Sequence, residues 1–179
     1  MTQVANMYAQ ALYSLAKEEQ LEETVLQQLS ALREAFAAEP DFVRLLSVPN
    51  LSKQERCGIL DQSFREKLLP YVLNFLKLLT EKGYMRHFDD CCKAYRAIYN
   101  EDHDILPVRV VTAVALTAQQ QKKLTDKLEQ LTGKTVVLEC RVDAAVRGGV
   151  RLDYDGKCVD GTVQNRLDAV RNLLKNTVL

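Results

Sequence analysis

Net charge is the first thing this sequence lacks. Its 24 lysines and arginines balance 24 aspartates and glutamates, which removes the bulk attraction that a nucleic acid or an anionic lipid surface would exploit. A long apolar run is missing too. The long uncharged stretches, residues 1–16 and Val110 to Gln121, the second ending in three glutamines, both fall short of the roughly 20 apolar residues of a bilayer span. No basic start leads into an apolar run as in a secretory signal, since the first basic residue is Lys17 and the segment before it is already amphipathic. These absences point to a cytosolic protein with no direct membrane insertion. With only two histidines, His87 and His103, a His-rich metal site is excluded. The five cysteines are odd in number, contain no C-x-x-C and place Cys91 beside Cys92. They form neither a disulfide framework nor a zinc site and read as reduced, mostly buried thiols.

What is present is an ordinary globular composition: 179 residues, 47% hydrophobic and 27% charged, enough to bury a sizeable core. The balanced charge hides a split. Residues 1–104 carry 12 basic and 16 acidic side chains, net −4, and residues 105–179 carry 12 and 8, net +4. That asymmetry predicts two domains, 1–104 and 105–179.

The apolar spacing supports the division. Val4, Tyr8, Ala11 and Leu15 lie on one line of a helix over 2–19, and Ala5, Met7, Leu12 and Ala16 widen that face to about half the circumference. A second helix runs over 21–38 and closes at Pro40. A short apolar segment, 42–46, precedes Ser52-Lys53-Gln54-Glu55, whose spacing is that of a capping box opening a helix to about Phe64. Residues 68–82 are apolar almost all round, as in a helix packed on most sides, with Pro70 in the first turn and Gly83 at the end. Met85, Phe88, Cys92, Tyr95, Ile98 and Tyr99 mark the next helix. About six helices thus precede a polar break at Asn100–Asp104, and the linker is placed near 101–106.

Beyond it the period changes. Ile105 to Ala113 alternates as a strand, 117–131 is helical up to Gly133, and 135–142 alternates again. Two further strands, 149–154 and 157–160, flank Asp155-Gly156, a type I′ hairpin signal. A last amphipathic helix spans 162–175. The fold class is α+β: a helical bundle followed by a small domain of order β-α-β-β-β-α.

No stretch assembles a catalytic site. Thr132-Gly133-Lys134-Thr135 resembles the end of a phosphate loop, but the glycine required five positions before Gly133 is Leu128, and the segment joins a helix to a strand in the wrong order. Gly148-Gly149 has neither a third glycine nor a following helix, which favours a bulge or tight strand entry. Asp153, Asp155 and Asp160 are interleaved with Arg151 and Lys157 and fit strands and a turn better than a cation loop. Cys91 and Cys92 on a helix point about 100° apart, so burial of at least one outweighs redox sensing. No catalytic, cofactor-binding or metal-binding residue is assigned, and no cofactor is expected.

Several of these residues carry a resemblance spanning essentially the whole chain. Tyr8-Ala9-Gln10-Ala11-Leu12 is similar to the first-helix signature of the delta subunit of bacterial F-type ATP synthase, the family of the mitochondrial oligomycin-sensitivity-conferring protein. Asn74-Phe75-Leu76-x-Leu78-Leu79 with Glu81-Lys82-Gly83 resembles its fifth helix and stop. Gly148-Gly149-Val150, Asp155-Gly156-Lys157, Asp160-Gly161-Thr162-Val163 and Arg166-Leu167 resemble its C-terminal run. Departures from that pattern are Tyr84 for an arginine, Arg147 for an apolar residue, the reversed Asp155-Gly156 turn, and Thr162 for a serine that it can replace as a cap.

The resemblance implies a non-catalytic stator, one copy in a hetero-oligomer, attached peripherally at the cytoplasmic face of the cell membrane. Residues 1–104 would grip N-terminal helices of the α subunits, and 105–179 would hold the C-terminal ends of the b subunits. Candidate contacts for the α helix are Tyr8, Ala11, Leu15, Leu76 and Leu78 on the first and fifth helices. For the stalk they are Arg166, Arg171 and Lys175, a basic stripe beside Val163, Leu167, Val170 and Leu174. An RNA-binding adaptor using the basic C-terminal domain is the alternative, weakened because Tyr154 is the only aromatic after Tyr99 and base stacking needs more. A nucleotide-dependent enzyme is a third reading, against which the broken phosphate loop counts.

Overall fold

In the computed structural model, residues 3–47, 51–144, 146, 148–163 and 165 are described. The chain divides into two compact units, Met1–Tyr99 and Asn100–Leu179, and its class is α+β.

The first unit holds α1 (Gln3–Glu18), α2 (Glu22–Ala38), α3 (Pro40–Ser47), α4 (Lys53–Phe64), α5 (Pro70–Glu81), a 3₁₀ turn at Met85–His87 and all but the last three residues of α6 (Phe88–Asp102). Pro40 opens α3 instead of merely closing α2. A proline at the first helical position loses no hydrogen bond, because that N–H has no partner within the helix. Ser52 accepts from Glu55 N at 3.2 Å while Glu55 returns to Ser52 N at 2.8 Å, the reciprocal capping box read from the spacing. The polar run Asn100–Asp104 is not an extended break: α6 continues to Asp102, since polar residues without Gly or Pro sit readily in an exposed last turn. Only His103 and Asp104, the latter at φ +51°, separate it from the first strand.

One core fills this unit. Ala5, Ala9, Leu12 and Ala16 of α1 meet Val72, Leu76 and Leu79 of α5, Val25 and Leu29 of α2, and Cys91 and Tyr95 of α6. Small residues on α1 let its backbone come close to its neighbours. Phe36 anchors the opposite side, packed against Phe42, Phe64 and Phe88 at 5.1–6.2 Å. Tyr13 meets Tyr95 edge-on, and the Tyr95 hydroxyl donates to Glu22 O at 3.1 Å.

The second unit holds β1 (Ile105–Thr112), α7 (Ala118–Thr132), β2 (Thr135–Val142), β3 (Val150–Tyr154) and β4 (Lys157–Asp160). The final helix expected over 162–175 lies almost wholly outside the described residues. The sheet order is β2-β1-β3-β4, with β1 parallel to β2 and the other pairs antiparallel. Helix α7 supplies the crossover that a parallel pair requires. Thr117 opens it with a second capping box through Gln120, and Gly133 ends it at φ +68°. Asp155 and Gly156, both at positive φ, turn β3 into β4 as the dipeptide predicts. One sheet face buries Leu106, Val108, Val110 and Val136 with Leu128 of α7.

Gly148-Gly149 proves to be a packing feature. Gly149 sits at φ +89°, and a Cβ there would stand 2.5 Å from Gly161 O and 2.8 Å from Thr162 Cα. The bonds Gly161 N to Val150 O, 2.9 Å, and Val163 N to Gly148 O, 3.0 Å, tie the two segments together. Arg147 lies outside the described residues.

Candidate protein interface

Helix α1 buries Ala5, Ala9, Leu12, Tyr13 and Ala16, and α5 buries Val72, Leu73, Phe75, Leu76 and Leu79. Each has a further apolar stripe beside its buried one. On α1 the stripe is Tyr8, Ala11, Leu12 and Leu15; on α5 it is Tyr71, Asn74, Phe75 and Leu78. Both follow i, i+3, i+4, i+7, one helical face. Together these eight residues line a groove of about 190 Å³. Leu12 and Phe75, at 4% and 6% exposure, form its floor, while Leu15 at 47% and Leu78 at 38% leave apolar surface in water on its walls. Ala11 is exposed and carries only a methyl group, so another backbone can approach closely there.

The helices run antiparallel along the groove. At one end Tyr8 packs against Tyr84 at 6.1 Å, the tyrosine that departs from the family pattern. At the other end the Tyr71 hydroxyl donates to the Glu19 carboxylate, which holds that phenol protonated above its ordinary range.

Four of the five residues proposed from sequence, Tyr8, Ala11, Leu15 and Leu78, line this groove. Leu76 does not. It is fully buried in the bundle core, because two residues along a helix means about 200° of rotation, which turns it away from Leu78. Leu12 on α1 and Tyr71, Asn74 and Phe75 on α5 are the lining residues missed. The i, i+3, i+4, i+7 count back from Leu78 finds the three on α5, but an almost uniformly apolar helix does not say which face is outward.

A larger hollow of about 400 Å³ lies between α2, α3 and α6, lined by Phe36, Val43, Met85 and Phe88 with Arg33, Arg86 and Asp89. Its charged rim is engaged internally, Arg33 to Asp89 at 3.2 Å and Arg86 Nε to His87 Nε2 at 3.2 Å.

In the second unit, Arg166, Arg171 and Lys175 lie outside the described residues. Among the described residues of this unit, Val142 and Val159 are about half exposed on the face that buries Val108 and Val110, since Val142 pairs with Thr112 and Val159 with Leu152, itself opposite Val110. The Thr162 hydroxyl and then the Thr162 backbone N–H, which donates to Asp160 Oδ1 at 2.9 Å, hold that carboxyl below its ordinary range. Thr162 Oγ1 accepts from Asn165 N at 3.2 Å, the bond of an N-cap.

No chemistry converges at either place. Among the described residues no cluster of three metal-ligating side chains occurs, and no helix is long and apolar enough to cross a membrane. Burial drives the Cys91 and Cys92 thiols up to about 11 and about 12, leaving them un-ionised at neutral pH.

Comparison with known proteins gives one answer. Residues 4–174 match the family described as ATP synthase delta (OSCP) subunit. The ATP synthase subunit delta of Alkaliphilus oremlandii is 31% identical over 98% of each chain, and that of Anaeromyxobacter dehalogenans is 33% identical over 98% of each. In fold, the chain is similar to one in the Toxoplasma gondii mitochondrial ATP synthase hexamer, with TM-score 0.76, 23% identity, and 97% and 98% of the two chains covered. None of these relatives supports the RNA-binding alternative. The chain belongs to the ATP synthase delta (OSCP) subunit family and is a non-catalytic peripheral-stalk subunit of F-type ATP synthase.

Proposed function

We propose that the α1–α5 groove receives the N-terminal helix of an α subunit of the catalytic head, and that the unit from residue 105 onward holds the C-terminal end of the b-subunit stalk. One copy then joins head to stalk at the cytoplasmic face of the membrane and keeps the head from turning with the rotor. The groove carries this reading. Two parallel apolar stripes with half-exposed Leu15 and Leu78 have the form of a receptor for an amphipathic helix, whose i, i+3, i+4 and i+7 side chains would fill it. A stator under torque needs slow dissociation, and buried apolar contacts supply it better than exposed charges do.

The test is calorimetric titration of the full chain with a peptide of the α-subunit N-terminus. Ala11 faces solvent, so Ala11→Asp costs the fold less than about 1 kcal/mol yet places a charge in the groove. Saturable binding by the native chain and its loss in Ala11→Asp at unchanged melting temperature is the expected result. Equal binding by both refutes the groove.

A further inference from the structure

Seven of the eight lining residues are aliphatic or aromatic; Asn74 alone carries a wholly polar side chain. It stands on α5 between Tyr71 and Leu78, in the middle of the stripe, and its side chain is exposed. Tyr71 already donates to Glu19. The Asn74 amide makes no hydrogen bond to another described residue, so water satisfies it while the groove is open.

Docking changes that balance. A helix seated between α1 and α5 covers the middle of the groove and strips water from the amide, and a buried amide left unpaired opposes binding far more than a paired one supports it. A helix that is apolar all along its buried stripe is therefore penalised, and so is a correct helix seated one turn out of place. The same logic lets a single buried Asn set the register of a coiled coil, and specificity then arises from rejection as much as from attraction.

We propose that Asn74 is the register-setting residue of the groove, selecting an amphipathic helix that presents one polar side chain within its apolar stripe to bond the amide. This rests on the docking reading above and adds to it the chemistry of the segment accepted and the place where it is read.

A double-mutant cycle tests it. The full chain and its Asn74→Leu and Asn74→Ala variants, each checked for unchanged melting, are titrated with the α N-terminal peptide and with peptides in which each polar residue of the stripe is replaced by leucine in turn. At one position the replacement should weaken binding to the native chain about tenfold, the size expected of one hydrogen bond made under burial. Against both Asn74 variants the same replacement should have no unfavourable effect. If every replacement acts equally on all three proteins, the register role is overturned, while loss of binding in a parallel Ala11→Asp titration leaves the groove standing. If Ala11→Asp binds as the native chain does, the groove reading fails and this inference with it.

Discussion

Leu76 and Leu78 are two residues apart, have the same side chain and play opposite parts. Leu76 has no exposed surface and Leu78 has 38%. Truncating Leu76 to alanine should leave a cavity in the bundle core and cost about 2–5 kcal/mol, visible as a large fall in the denaturation midpoint. Leu78→Ala should shift that midpoint little and instead weaken the α-peptide titration. Were the two variants equally unstable, Leu78 would belong to the core. The cysteines divide by the same criterion: Cys140 and Cys158 are exposed, Cys57 is intermediate, and Cys91 and Cys92 are buried. A thiol-selective reagent at neutral pH should modify exposed Cys140 quickly in the folded protein, and exposed Cys158 more slowly, because its hydrogen bond to Asp153 pushes that thiol up. Cys91 and Cys92, whose thiols are pushed up to about 11 and about 12 by burial first of all, should react only on unfolding. Early labelling of either, located by mass spectrometry, would show that α6 opens readily.

At the scale of elements, short-range chemistry was legible and orientation was not. The Ser52–Glu55 spacing, the Asp155-Gly156 turn and the Gly133 stop each act through bonds or φ angles within a few residues, so the sequence states them directly. The outward face of α5 depends on which neighbours cover it, and a helix apolar on nearly every side hides that. Two consequences follow for these elements. The backbone and hydroxyl of Ser52 hold the Glu55 carboxyl below its ordinary value of 4.5. A depressed folded-state value means the support for α4 is present above that ordinary value and is lost as pH falls through the lower, folded one. Ser52→Ala should cost about 1 kcal/mol at neutral pH, and its deficit in urea unfolding should shrink as the pH drops well below 4.5. A deficit independent of pH would show that the carboxylate contributes nothing to the cap. In the second unit, Gly149→Ala combines a strained positive φ with a 2.5 Å approach to Gly161 O. It should destabilise the sheet unit by about 2 kcal/mol or more; a native melting curve would mean the segments separate without cost.

Across the whole molecule, the opposite charges of the two halves and the switch from helical to strand periodicity point to two units, and the contacts fall into 1–99 and 100–179. Each unit has its own apolar cluster, so a chain ending at Asp104 retains a complete core for α1–α6. The central claim is that one chain grips two partners with two separate parts. Sedimentation of catalytic heads stripped of this subunit, mixed with a soluble b fragment and either the full chain or the chain ending at Asp104, measures it directly. The full chain should carry b down with the heads, whereas the shortened chain should sediment with the heads and leave b in the supernatant. Retention of b by the shortened chain as completely as by the full one would contradict the account.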